Sequence, residues 1–323
     1  MTKLFGVLLA CCAICSWPAI SQAQDYSRSS SGFSASSGAI VRNKDAMTLR
    51  AAALRRGWLA AGKPLPGKND MPVILSGKIT PASVDVAKAP GQESITVKYK
   101  ATEGLNSILA TFCTTTVATQ CIQTGGYAYG AANATSGSAT FESFDESFGG
   151  ALNLYSAPGT WTLTDVQIYD QAGDLTDYST PSELGALFPA LTFSVTNKGT
   201  PDTVPPVVTA GEILTPTMDD IAGQLYFSAQ LTATDNLSGA SYATITLQPP
   251  EGSPIPLYGF TSAPLKSGTI QIAELFVADV SSTQTWAIAA YSVCDVANNC
   301  KTDTNPSDIL ALFGTNTVQV VVE

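Results

Sequence analysis

The amino-acid sequence predicts an all-β protein built as two tandem β-sandwiches. Three observations carry that prediction. One stretch occurs twice: Thr160 to Val195 lies in register with Thr285 to Val320 at a constant offset of 125, without a gap. Short runs in both copies alternate apolar and polar residues, the period of a half-buried strand. Clusters of Gly, Pro, Asn and Asp separate these runs at the spacing expected of a sandwich.

The repeat is specific in its residues. Thr160-Trp161 meets Thr285-Trp286, Asp170 meets Asp295, Ala172 meets Ala297, and Pro181-Ser182 meets Pro306-Ser307. Ala186-Leu187-Phe188 meets Ala311-Leu312-Phe313, and Thr192 and Val195 meet Thr317 and Val320. The front halves match more loosely. Pro72-Val73 and Gly77 correspond to Pro206-Val207 and Gly211 at an offset of 134, and Ala101-Thr102-Glu103 to Ala233-Thr234-Asp235 at 132. One unit is therefore expected over about 71–198 and a second over about 199–323. The Pro- and Gly-rich joint from Lys198 to Pro206 reads as a short, stiffened linker.

Taken in order, the first residues read as an export signal. Lys3 supplies one charge, Leu4 to Cys15 an apolar run, and Ser21-Gln22-Ala23 the small residues of a cleavage site, so residues 1–23 are expected to be removed after Ala23. The run is too short for a membrane span of about 20 residues. A rival reading takes Leu8-Leu9-Ala10-Cys11 as a lipobox, leaving Cys11 lipidated. Either way the mature chain is expected outside the cytoplasm, secreted or at the envelope, with no transmembrane span.

Residues 24–70 differ in character. Gln24 to Gly38 is rich in Ser and Gly and predicts disorder. Asn43 to Ala61 predicts one short amphipathic helix, with Met47, Ala51, Leu54 and Trp58 on one face and Arg50, Arg55 and Arg56 supplying charge. Gly62, Pro64 and Pro66 stop it. Residues 24–70 carry a net charge of +5 and residues 71–323 one of −16. The basic helix is expected to dock on the acidic body or to reach an anionic surface or partner.

Within the units, Ser94 to Lys100 alternates cleanly, and Trp161 to Ile168 alternates with a change of phase that predicts a bulge near Asp165. Leu225 to Thr232, Trp286 to Val293 and Val318 to Val322 read as further strands, which makes Trp161 and Trp286 core residues of equivalent strands. Glu183 to Phe188 predicts a short helical turn, kept short by Gly185.

Composition excludes several kinds of chemistry. The 323 residues contain no histidine, so Ser-His-Asp and Cys-His catalysis and His-ligated zinc are out. The net charge of −10 argues against nucleic acid as a partner. Removal of the signal leaves four cysteines, and the locality of each pair predicts Cys113–Cys121 and Cys294–Cys300 as structural disulfides of an oxidising compartment. Phe141 to Phe148 gathers Glu142, Asp145 and Glu146, which reads as a solvated loop or strand edge anchored by Phe rather than a paired-carboxylate site. No cofactor is expected; the alternative is calcium, with Asp170, Asp174 and Asp177, Asp295 and Asp303, and, near the joint, Asp202, Asp219 and Asp220 as oxygen donors. Asp is also a routine turn former. Tyr127 and Tyr129, in a Gly-flanked stretch, are candidate contacts for a ligand, or else a packed strand.

Three further motifs, Asp202-Thr203-Val204-Pro205-Pro206, Asp235-Asn236-Leu237-Ser238-Gly239 and Asp295-Val296-Ala297-Asn298-Asn299, resemble the D-x-x-P-P, D-x-x-S-G and D-x-A-G-N signatures of bacterial extracellular immunoglobulin-like repeats. Asn298 stands where that pattern has Gly, and the first unit keeps Asp170-Gln171-Ala172-Gly173 but has Asp174 in place of Asn. The resemblance covers about 71–323 and implies two tandem immunoglobulin-like sandwiches. It implies a non-enzymatic binding, adhesion or structural role toward a protein or glycan at the cell surface. The alternative is an accessory or carbohydrate-binding subunit of a secreted hydrolase.

Overall fold

The structure, a computed structural model, describes residues 71–116, 119–128, 134–142, 152–221, 223–252, 254–278 and 280–322. The signal sequence, the Ser/Gly-rich stretch and the basic helix expected from the sequence all lie outside these residues.

The first module runs β1 (Val73–Thr80), β2 (Ser83–Asp85), β3 (Ser94–Lys100), β4 (Leu105–Thr114), β5 (Gln120–Tyr127), β6 (Ser136–Glu142), β7 (Gly159–Asp170), β8 (Leu175–Tyr178), α1 (Pro181–Leu187) and β9 (Thr192–Thr196). The second repeats this order as β10 (Val207–Ile213), β11 (Thr217–Asp220), β12 (Gln224–Thr234), β13 (Ala240–Gln248), β14 (Ile255–Leu265), β15 (Ser267–Val277), β16 (Gln284–Asp295), β17 (Cys300–Asp303), α2 (Pro306–Phe313) and β18 (Thr317–Val322). In the first module a β1-β3-β6 sheet accompanies a β2-β9-β7-β4-β5 sheet, with β8 on β7. In the second the orders are β10-β12-β15 and β11-β18-β16-β13-β14, with β17 on β16. The pairing is antiparallel except for β2 with β9 and β11 with β18, which are parallel at equivalent places. The chain is thus mostly β, with two sandwich-like sheet groups, as two tandem immunoglobulin-like modules require.

Each sheet pair encloses its own apolar core. The side chains that the alternation turns inward are the ones buried: Ile95, Val97 and Tyr99 on β3, and Leu225, Phe227, Ala229 and Leu231 on β12. Trp161 on β7 and Trp286 on β16 are almost wholly buried. Trp161 stacks on Phe193 at 6.4 Å and Trp286 lies 6.3 Å from Phe276. The predicted bulge is present and duplicated. Register shifts where Thr111 and Phe112 meet β7, and again where Thr246 and Leu247 meet β16, so each Trp strand changes phase at the same point.

One repeated detail explains residues that matched in the sequence. A Cβ on Gly77 would fall 1.9 Å from the Phe188 ring, and one on Gly211 2.6 Å from the Phe313 ring. Each glycine therefore makes room for the aromatic residue at the end of the helix that packs on it. The helices are short because their caps fix both ends. Thr180 and Glu183 form a capping box on α1, whereas Asn305 caps α2 and Gly314, at φ 73°, stops it. Hydrogen bonds from Thr180 hold the Glu183 carboxyl below its usual range.

The Cys113–Cys121 disulfide staples β4 to β5, and Cys294–Cys300 staples β16 to β17, both between directly paired residues. Among the described residues no helix is long and apolar enough to cross a membrane.

Candidate functional site

The modules meet at the linker, and the sequence there converges on one point. Asp202 donates its N–H to the Tyr155 carbonyl of the first module (2.9 Å). Its own carbonyl accepts from Gln120 Nε2 (2.6 Å) and Asn299 Nδ2 (3.2 Å), one from each module. Gln120 Nε2 also donates to Asn299 Oδ1 (3.1 Å), and Asn153 Nδ2 to the Val296 carbonyl (2.9 Å). Gln120 Oε1 accepts from Ala157 N (2.7 Å), whose carbonyl accepts from the Trp161 indole (3.1 Å). A chain of hydrogen bonds therefore runs from the first core to the joint, among groups that are themselves buried.

Beside this seal, Asp202, Asp235 and Asp295 each place one carboxylate oxygen within 4.8 Å of the other two, and all three residues are buried. Local backbone chemistry presents each of them. Asp202 Oδ1 accepts from Val204 N (3.1 Å), and its Oδ2 from Ser238 N (2.7 Å). Asp235 Oδ1 accepts from Leu237 N (3.0 Å) and Gly239 N (2.5 Å). That turn needs φ 92° at Gly239, which a side chain would strain. Asp295 Oδ1 accepts from Asn299 N and its Oδ2 from Asn299 Nδ2, both at 2.8 Å. Asn298 takes the left-handed backbone at φ 72°, a conformation usual for Gly that Asn tolerates. The three signatures are thus three loops, each folded around its own aspartate.

The electrostatics are strained in one direction. Burial pushes the Asp295 carboxyl up to about 7, against lowering by Asn299 and with further raising by Asp202 and Asp235. Burial, with the Asp295 charge second, also raises the Tyr242 phenol. Asp235 Oδ2 is buried without a hydrogen-bond partner among the described residues. A divalent cation fits this donor set. The donors are hard oxygens, no histidine exists, and the four cysteines of residues 71–323 are closed in disulfides. Such a set suits calcium far better than a thiophilic metal.

The first module repeats the loop at its opposite end. Asp170 Oδ1 accepts from Ala172 N (3.0 Å) and Asp174 N (2.9 Å), and Asp170 is fully buried. Burial is the main reason its carboxyl is raised to about 6, with Asp174 and Glu103 adding repulsion. Asp170 Oδ2 has no hydrogen-bond partner among the described residues.

The sequence candidates are therefore regrouped. Asp295, which the sequence grouped with Asp303, instead joins Asp202, and both join Asp235, which entered the sequence reading only as a motif residue. Asp303 is not in the group; it pairs with Lys301 at 3.7 Å. Asp177 is exposed on β8, apart from the buried Asp170–Asp174 turn, and Asp219 and Asp220 lie on β11. Tyr127 ends strand β5 rather than standing in a loop, and Tyr129 lies outside the described residues. Tyr127 pairs with Ser107 across β4, and Gly125 lets the two strands approach there, since its Cβ would sit 2.2 Å from the Ile108 carbonyl oxygen. Glu142 is on β6, accepting from Gln92 Nε2, and Asp145 and Glu146 lie outside the described residues. Gln120, Asn153, Tyr155 and Asn299 were not singled out by the sequence. Gln120 starts β5, Asn153 and Tyr155 lie in the loop before β7, and only Asn299, as a member of the Asp295 motif, carried a mark in the sequence.

No protein-family model and no curated protein matches the chain. Among solved structures, the chain is similar to a mutant of Salmonella alpha-2-macroglobulin, with a TM-score of 0.22, 10% identity, and coverage of 80% of this chain and 17% of that one. It is also similar to CBD12 from CALX1.2, with a TM-score of 0.18, 8% identity, and coverage of 76% of this chain and 100% of that one.

Proposed function

We propose that this is an exported, non-enzymatic binding or structural protein of the cell envelope or exterior. In this reading two immunoglobulin-like modules are fixed end to end by calcium at their joint. The observation that carries it is the buried trio Asp202, Asp235 and Asp295 beside the inter-module seal. A bound dication would supply the positive charge that lets three adjacent carboxylates stay ionised in a buried place. Asp202 comes from the linker and Asp235 and Asp295 from the second module, while Gln120 and Asn153 tie the first module to the same loops. Holding the trio in place therefore holds the angle between the modules. A stiff two-module rod suits a spacer or a display arm for a protein or glycan ligand. The two disulfides fit an oxidising compartment, which supports export.

The test is thermal melting of the purified chain in calcium and in chelator. Calcium is expected to raise the melting temperature of the wild type, with one equivalent bound per chain, and to leave that of Asp295→Asn unchanged. Equal melting of the wild type in both conditions would overturn calcium at the joint.

A further inference from the structure

The second module leaves an apolar patch at the end far from the joint. Strand β12 runs from that end, at Gln224, toward Asp235 at the joint. At its far end Tyr226 and Leu275 are directly paired across β12 and β15 and are 49% and 60% exposed. Leu214, 43% exposed, follows β10 and bonds through its N–H to the Ser228 carbonyl. Ile221, 72% exposed, sits in the β11–β12 turn, bonded to Gln224. Among the described residues, four of the nine exposed large apolar side chains thus gather at one end of one module. Such grouping marks a contact surface, where scattered exposed residues would not.

The charge around the patch has one sign. Glu212 shares the outer face of the β10-β12-β15 sheet, and Asp219 is exposed nearby on β11. Residues 199–323 hold only two basic side chains, and both lie toward the joint: Lys266 bonds through its carbonyl to Asp235 N, and Lys301 follows Cys300. The equivalent face of the first module is opposite in character. Lys78, Lys98 and Lys100 are exposed on it, and Lys78 occupies the place of Glu212 at the offset of 134.

We propose that this patch receives the basic segment around residues 43–61 of a second copy of the chain. The chemistry matches on both counts. The segment offers Met47, Leu54 and Trp58 for the apolar patch, and Arg50, Arg55 and Arg56 for the acidic rim. The lysine face of the first module repels the same segment. Length decides between its own chain and another. Residues 62–72 reach at most roughly 38 Å when fully extended. Strand β12 alone is about 37 Å long, and the whole first module intervenes before it. The contact is therefore head to tail between copies, and it propagates, because each copy carries one segment and one patch.

Sedimentation velocity of the chain as purified from an exporting host tests this. Reversible self-association that grows with concentration and weakens with added salt is expected. Arg50→Glu with Arg55→Glu and Arg56→Glu, and separately Glu212→Lys with Leu275→Asp, should each weaken it by about tenfold or more. The second pair changes only exposed positions, and an unaltered melting temperature would certify its fold. A synthetic peptide of residues 41–64 should dissolve the assembly. A chain that stays monomeric at every concentration, or an association untouched by both variants, would overturn the proposal.

Discussion

The Asp295 loop and the Asp170 loop are the same turn folded twice, and they differ in what lies against them. Both carry an aspartate whose carboxylate caps the amide four residues on, and in both burial raises its pKa. The Asp295 loop has Asn299 at that position, and its side-chain amide reaches the linker carbonyl of Asp202 and so meets Gln120. The Asp170 loop has Asp174 there, which adds negative charge and no donor. Asp202 and Asp235 complete a trio around Asp295, whereas among the described residues the charges that act on Asp170 are those of Asp174 and Glu103. The lesson is that the repeat supplies the loop, and the linker turns one copy of it into a junction.

The largest expected effects test whether the modules are equal as cores. Trp161→Ala and Trp286→Ala should each cost about 3–5 kcal/mol, because each empties a fully buried site. Chemical denaturation of both variants measures this, and a much smaller loss for one would break the equivalence. The next effect separates the loops. Saturating calcium should add on the order of 3 kcal/mol to wild-type stability if its concentration exceeds the dissociation constant several hundredfold. Asp295→Asn should abolish that gain and Asp170→Asn should leave it, as calorimetry in calcium and chelator would report.

A smaller effect concerns the two indoles. The Trp161 N–H is bonded to the Ala157 carbonyl, and the Trp286 N–H has no acceptor among the described residues. Trp161→Phe should therefore be costlier than Trp286→Phe by about 1 kcal/mol. The smallest effect is on pH. Both aspartates have folded-state values above the ordinary 3.8, so the folded protein holds protons that the unfolded chain has released. In chelator, stability present below about pH 4 is lost as pH rises through about 6 for Asp170 and about 7 for Asp295. Melting curves from pH 4 to 8 should show that decline, with its upper part missing in Asp295→Asn.

The sequence made the fold legible wherever a residue's role was local. The Trp strands, their bulge and the two disulfides all declare themselves within a few residues, through period, phase and spacing. The glycine opposite each Phe was visible as a repeat, though not its reason, because the ring arrives from a helix about a hundred residues away. The carboxylate trio was only half legible. Asp202 and Asp295 drew notice as turn aspartates, but grouping them with Asp235 requires knowing that three loops share one pole. Spacing along the chain pointed to Asp303 instead, which a β17 ion pair takes elsewhere. Gln120 was illegible, since a polar residue at a strand start carries no mark of the carbonyl it will meet in another module.

The most direct test is a distance distribution by pulsed electron resonance, with one spin label on the exposed Lys98 position and another on the exposed Gln271 position. In calcium the distribution should be narrow. In chelator, and in Asp202→Asn with or without calcium, it should broaden as the joint loosens. A distribution of the same width in all of these conditions would contradict a cation-fixed joint.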